Sequence, residues 1–269
     1  VKRTVSCDLE VAVDAATTLE LQVSVADVEG RGVDERLAVE LDGRPVAVRE
    51  LRGDHGTRLH VLDADVGTVR ITYRATVQDD AGTPSGPPVT ELERLVHTRP
   101  SRYVQSDALV GLAVYELSGT PRDQLPGAVS AWVGSRLAYA PGASRGTDGA
   151  LETLALGAGV CRDYTHLAVA MLRALDVPAR AVAVYAPGCW PMDFHAVVES
   201  AVDGTWQVHD ATALAPRQSL VRISTGRDAA DNAFLSNHGG SVRLLTTEIT
   251  AIVDGALPVD DGRSVVHLR

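Results

Sequence analysis

The sequence predicts an α+β protein, an N-terminal antiparallel β-sandwich followed by a domain that runs helices first and antiparallel sheet after. Three observations carry this. Residues 1–80 are short β-branched runs cut by glycine-containing turns, residues 120–175 switch to helical periodicity, and strand patterns return from Ala181 to the end. The expected division is a sandwich domain over 1–95 and a second domain over 96–269.

In chain order, "VSVADV", "RLAVELDG", "RPVAVREL", "TRLHVLDA" and "GTVRITYRATVQ" read as strands, and Asp42-Gly43 is a two-residue hairpin turn between two of them. The Gly- and Pro-dense stretch Asp79 to Thr90 reads as a linker. In "TPRDQLPGAVSAWVGSRLAY", Thr120 is placed to cap a helix with Pro121 at its first position, and Leu125, Val129, Trp132 and Leu137 recur at helical intervals. "TDGALETLALGAG" is a short helix ended by glycines, and "CRDYTHLAVAMLRAL" is an amphipathic helix over about 161–175 that Pro178 closes off.

Composition bounds the function. With 269 residues and 45% hydrophobic content the chain can bury a large core, and a net charge of −10 with no basic run argues against nucleic acid as a partner. No apolar stretch is long enough to span a membrane, and the first residues alternate like a strand, so a cytoplasmic protein with no membrane partner is expected. Cys7, Cys161 and Cys189 are odd in number and widely spaced, which suits reduced thiols. There is no CxxC. A metal site on Cys161 and His166 fails on geometry, because five residues of helix leave them some ~140° apart. No metal or other cofactor is expected.

Cys161 stands where the long helix starts. The unpaired N–H groups and positive dipole end there favour a thiolate over a thiol, and residues 165 and 168 on its stripe turn the side chain toward the protein body. The bland alternative is a small buried cysteine. A base and its orienting acid would decide between them. In "DFHAVVESAVDGTWQVHDAT", Asp193 to Thr212, two apolar runs flank Asp203-Gly204, a two-residue hairpin signal. That register sets Val197 opposite Asp210 and His195 opposite Thr212, so His195 and Asp210 lie diagonally on one side, about 7–8 Å apart in backbone terms. A hydrogen bond can close that gap. A Cys161-His195-Asp210 triad follows, in which His195 takes the thiol proton and Asp210 orients and charge-stabilises the ring.

Four ordered stretches, "GVCRDYTHLAVAMLRALDVPAR", "DFHAVVE", "HDAT" and "RISTGRDAAD", resemble the bacterial transglutaminase-like superfamily, a papain-like thiol fold, in a subgroup with an N-terminal β-domain. "RPSRYVQSD" resembles that family's segment between domains. The resemblance implies a nucleophile at Cys161, a base at His195 and an acid at Asp210, the residues already selected by geometry. Val197 stands where many relatives have Trp, and Ala211 where Pro is usual. The implied activity is hydrolysis of a peptide or isopeptide-type amide through a thioester, with a protein or peptide as substrate. Transamidation, a non-catalytic peptide-binding module and a redox thiol pair of Cys161 and Cys189 are the alternatives. The Cys161 backbone N–H is one oxyanion donor, and the second is open. Trp132 is a candidate whose spacing fits core packing better, Tyr164 follows the nucleophile in the first helical turn, and Cys189 and Trp190 are expected at the cleft rim. The oligomeric state is not encoded in any of these features.

Overall fold

The computed structural model describes residues 1–80 and 88–269, so most of the linker reading for Asp79 to Thr90 lies outside the described residues. Strands β1 (Lys2–Ala15), β2 (Thr17–Leu21), β3 (Arg31–Leu41), β4 (Arg44–Pro45), β5 (Arg49–Arg52), β6 (Arg58–Ala64) and β7 (Gly67–Asp79) form two facing antiparallel sheets. Strict alternation makes them a sandwich. Val5, Cys7, Leu9, Val11 and Val13 of β1 point inward with Val69, Ile71, Tyr73 and Val77 of β7, and meet Leu19, Leu21 and Leu62 of the other sheet. Asp42 and Gly43, with φ of 49° and 74°, make the expected tight turn between β3 and β4. Two strand expectations give way. Residues 23–28 are irregular, and "RPVAVREL" splits so that β4 pairs in one sheet and β5 in the other, which turns the sandwich corner.

Helix α1 (Glu91–Val96) carries a capping box between Thr90 and Glu93, and α2 (Ser106–Leu117) follows. Helix α3 (Leu125–Arg136) begins five residues after Thr120, which makes no cap, because Arg122–Gln124 form a 3₁₀ turn first. A two-residue strand β8 (Ala138–Tyr139) precedes α4 (Ala150–Leu156), which ends at Gly157 in the left-handed region with φ 67°. Strand β9 (Ala158–Gly159), parallel to β8, leads directly into α5 (Cys161–Ala174). The amphipathic expectation for α5 understates its burial, since every residue from Asp163 to Arg173 is enclosed. Its polar side chains find fixed partners instead of water. Arg173 donates to the Ala179, Arg99 and Arg227 carbonyls, and His166 Nε2 accepts from the Ala229 N–H.

Strands β10 (Ala179–Tyr185), β11 (Phe194–Ser200), β12 (Gln207–His209) and β13 (Val221–Gly226) form the second-half sheet in the order β12-β11-β10-β13. After α6 (Ala229–Asn232), strands β14 (Leu235–His238) and β15 (Ser241–Val253) leave it and join the sandwich, β14 beside β2 and β15 along the outer edge of β1. The boundary at 95/96 therefore falls inside α1 and does not describe how strands pair. Tyr185, Val221 and Ile223 pack in the sandwich core, and the Tyr185 hydroxyl donates to the Val23 carbonyl at 2.7 Å.

A buried ionic cluster ties the halves further. The Glu199 carboxylate receives Arg222 at 2.6 Å and Arg180 at 2.8 Å, and Arg180 lies 3.8 Å from the Trp206 ring centre and reaches Glu93 at 3.2 Å. Burial opposes the Glu199 charge, but the two guanidinium groups prevail and pull its pKa down to about 2. Among the described residues no helix is long and apolar enough to cross a membrane.

Candidate active site

The β11–β12 connection tests the parity argument. Asp203-Gly204 is not a two-residue turn: residues 201–206 intervene between the last pair, Ser200 and Gln207, and only Gly204 of the two has positive φ, 77°. The loop is held open from outside. Trp206 is buried with its indole N–H donating to Glu93 at 3.2 Å, and Thr205 bridges Pro88. Because the extra residues are shared equally by both strands, the facing couples are unchanged: Val198 opposes His209 and Glu199 opposes Val208. Pairing then stops, and Asp210 is the first residue beyond β12.

His195 Nε2 and Asp210 Oδ2 are 2.9 Å apart, with both side chains almost wholly enclosed. The other carboxylate oxygen accepts the Thr212 N–H at 2.9 Å and its hydroxyl at 2.7 Å. The sequence reading set Thr212 opposite His195 but gave it no bond to Asp210, although Asp-x-Thr is the spacing of a side-chain-to-backbone turn. Burial alone would strip the imidazole of its proton; the Asp210 charge and hydrogen bond, with the Cys161 thiol beside the ring, outweigh it and raise the His195 pKa well above 6.5. Asp210 mirrors this, since burial pushes its pKa up while His195 and Thr212 bring it below the usual value.

Cys161 is the first residue of α5, half-buried, with Sγ 3.9 Å from the Phe194 carbonyl at the start of β11. The turn into the helix is locked by Asp163, whose enclosed carboxylate accepts the Val160 N–H at 2.8 Å and also bonds Ser144 and Arg162. Gly159 is required there: a Cβ would lie 2.6 Å from Cβ of Asp163. Asp163 is thus more than a favourable charge on the helix dipole. Nor did the residue pattern mark Ser144, which approaches from the loop before α4.

Cys161 and His195 open onto a cleft of about 500 Å³. Its lining includes the apolar Ala183, Phe194, Ile223 and Phe234, and Arg102 and Arg162 supply cations. The walls come from Gln22 of the sandwich, Tyr103 of the connecting segment, Ala229 and Ala230 of "GRDAAD", and Leu235 of β14.

The remaining candidates fall elsewhere. Tyr164 is buried and its hydroxyl is committed to the Leu137 carbonyl at 2.6 Å, so it is a packing residue. Trp132 is half-buried against the helical core beneath the Arg136 guanidinium, 4.8 Å away, and is not part of the cleft. Cys189 is buried, not at the rim; its thiol donates to the Pro191 carbonyl at 3.5 Å, and burial raises its pKa. Trp190 is 83% exposed on the loop before β11 and does not line this cleft. His209 projects from the opposite side of the sheet to His195, where burial drives its pKa to about 4.

Comparison with known proteins bears on this geometry. The model of the transglutaminase-like superfamily matches residues 116–211, a span that contains Cys161, His195 and Asp210. The crystal structure of a Cytophaga hutchinsonii protein, named as a candidate cysteine protease, is 31% identical, superposes with a TM-score of 0.87, and is matched over 98% of this chain and 95% of its own. The periplasmic domain of TgpA from Pseudomonas aeruginosa, bound to ethylmercury, is a more remote likeness, with 16% identity, a TM-score of 0.41, and coverage of 77% of this chain and 90% of that one. An uncharacterised Mycobacterium leprae protein is 26% identical over 137 residues, 46% of this chain and 49% of its own, so the chain spans about half the length of that curated relative. Matched along almost its whole length by the Cytophaga protein and through its centre by the family model, the chain belongs to the transglutaminase-like superfamily.

Proposed function

We propose that this protein is a cysteine hydrolase that cleaves a peptide or isopeptide-type amide. The observation that carries the reading is the enclosed 2.9 Å bond from His195 to Asp210, with its imidazole beside a cysteine at the first position of a helix. Nε2 is held by Asp210, which leaves Nδ1 as the nitrogen for the thiol proton. The Cys161 sulfur adds its electron pair to the amide carbonyl carbon while His195 takes the proton. His195 returns that proton to the departing amine as the C–N bond breaks. The resulting thioester is opened by water, whose proton passes to His195 and then to the sulfur. Asp210 keeps one tautomer and stabilises the imidazolium throughout. The apolar side chains lining the cleft support a peptide-like substrate. The free Cys7, Cys161 and Cys189 support a reducing, cytoplasmic setting.

The test is iodoacetamide alkylation of each cysteine against pH, read by peptide mass spectrometry, in the wild type and His195→Ala. Cys161 is expected to be alkylated fastest of the three cysteines at neutral pH, and the substitution to remove that reactivity. Cys7, buried and with its pKa pushed up to about 11, is the internal standard. A Cys161 that reacts no faster than Cys7 in either protein would overturn the reading in favour of a non-catalytic peptide-binding module.

A further inference from the structure

Strand β14 closes its sheet with nothing paired to its outer side, since the order β14-β2-β6-β5 leaves only β2 beside it. The Gln22 N–H donates to the Phe234 carbonyl at 3.0 Å, which makes Phe234 and Gln22 a hydrogen-bonded couple and the next one, Leu235 with Leu21, a non-bonded couple. In an antiparallel ladder a non-bonded couple turns its N–H and C=O groups away from each other. Leu235 and, two residues on, Asn237 therefore present both main-chain groups to the open edge, and among the described residues no hydrogen bond reaches those groups. The Leu235 side chain packs on the sandwich core, yet the residue also lines the cleft of Cys161 and His195, with Phe234 and Ser236 on either side. The same cleft has a second feature. Gln22 and Asn232, only 2% and 7% exposed, keep the Gln22 Oε1 acceptor and the Asn232 Nδ2 donor without a partner among the described residues, while Gln22 Nε2 is spent on the Asp231 carbonyl at 3.0 Å. Unpaired buried polar atoms are costly, and an acceptor with a donor is the complement of one peptide unit.

We infer that the substrate is an extended peptide that lies as an added strand along the outer edge of β14 and passes Gln22 and Asn232 to bring its scissile amide to Cys161; the inference rests on the cysteine-hydrolase reading. Main-chain pairing of this kind recognises an extended chain through its backbone and leaves side-chain choice to the pockets beside it. Ladder bonds recur at every second residue. Leu235 and Asn237 each bind one residue of the substrate, and the residue between those two turns its own N–H to solvent. The N-terminal sandwich, to which β14 returns, thereby supplies the docking edge while the second-half sheet and α5 supply the chemistry.

The test uses two peptidyl reagents that alkylate the Cys161 sulfur, a C–S bond forming as halide leaves. Acetyl-tetra-alanine chloromethyl ketone carries its chain on the acyl side of the reacting carbon, and bromoacetyl-tetra-alanine amide carries it on the amine side. Each is made with its alanines N-methylated one at a time, and the half-saturating concentration for labelling Cys161 is read by mass spectrometry. In one of the two series, methylation at alternate positions is expected to raise that concentration about tenfold and the intervening positions to leave it unchanged. Leu235→Pro removes an open-edge N–H and no bond to β2, and should weaken the parent peptide to a similar extent, with iodoacetamide alkylation of Cys161 as the measure of an intact thiol. The wild-type methylation series decides the matter even if that variant does not fold. Equal effects at every position, or none in either series, overturn the inference. So does a dimer seen by light scattering that Leu235→Pro abolishes while the peptides show no alternation, which would assign the edge to a second copy of the chain. If Cys161 takes neither iodoacetamide nor the peptidyl reagents in the wild type, the cysteine-hydrolase reading itself has failed.

Discussion

At the residue scale, the informative group is Asp210, because it both charges and aligns His195. Asp210→Asn keeps the shape but removes the carboxylate, leaving burial opposed only by the Cys161 thiol beside the imidazole. The His195 pKa should fall, alkylation of Cys161 at neutral pH should slow, and turnover of any amide substrate found should drop at least ~100-fold. The same pair shapes stability. His195, with its folded pKa raised, contributes fully below 6.5 and loses that contribution as pH climbs through the folded value. Asp210, with its folded pKa lowered, contributes above 3.8 and loses it as pH drops through the folded value. The stability gap between wild type and Asp210→Asn in urea titrations should thus be widest between those two ordinary values and narrow on either side. The positions of Cys161 at a helix start and of His195 beside Asp210 were legible because helix-start signals, strand parity and the hairpin register each constrain one residue with local rules. Tyr164, Cys189 and Trp190 were misplaced because local position gives a side chain's place on its own segment and not what lies opposite.

At the element scale, the entry into α5 decides where the sulfur sits. Asp163 holds the Val160 N–H from an enclosed position, so Asp163→Ala strands that donor and empties a packed site. A loss of about 1–3 kcal/mol is expected in urea unfolding, with slower alkylation of Cys161 as the turn loosens. Unchanged stability would mean that Ser144 and Arg162, not the cap, hold this turn. The extent of α5, the Asp42-Gly43 hairpin and the glycine end of α4 were all readable, since each depends on neighbouring residues. The β11–β12 loop was not: Trp206 is drawn to Glu93 and Arg180, 113 and 26 positions away, and no local turn preference competes with that burial. The register survived only because the loop opened evenly.

At the scale of the whole molecule, the sandwich and the second-half sheet share a core and an ionic cluster. Residues 96–269 expressed alone would expose Tyr185, Val221 and Ile223 and leave Arg180 without Glu93 and His55. That fragment should fail to show cooperative unfolding by circular dichroism, while the whole chain should give one calorimetric transition. Two separate transitions would show the halves to be independent. The cleft depends on the same union, since Gln22 and Leu235 line it from strands or segments at opposite ends of the chain. By itself the sequence determined the α+β class, most of the elements and the approach of His195 to Asp210 across one sheet, because periodicity, caps and strand parity act over a few residues and need no knowledge of the rest. Only the tertiary structure decided that β14 and β15 return to the sandwich and that the polar face of α5 is buried. Those outcomes depend on which distant surfaces exclude water together, and no local pattern encodes a partner that lies a hundred residues away.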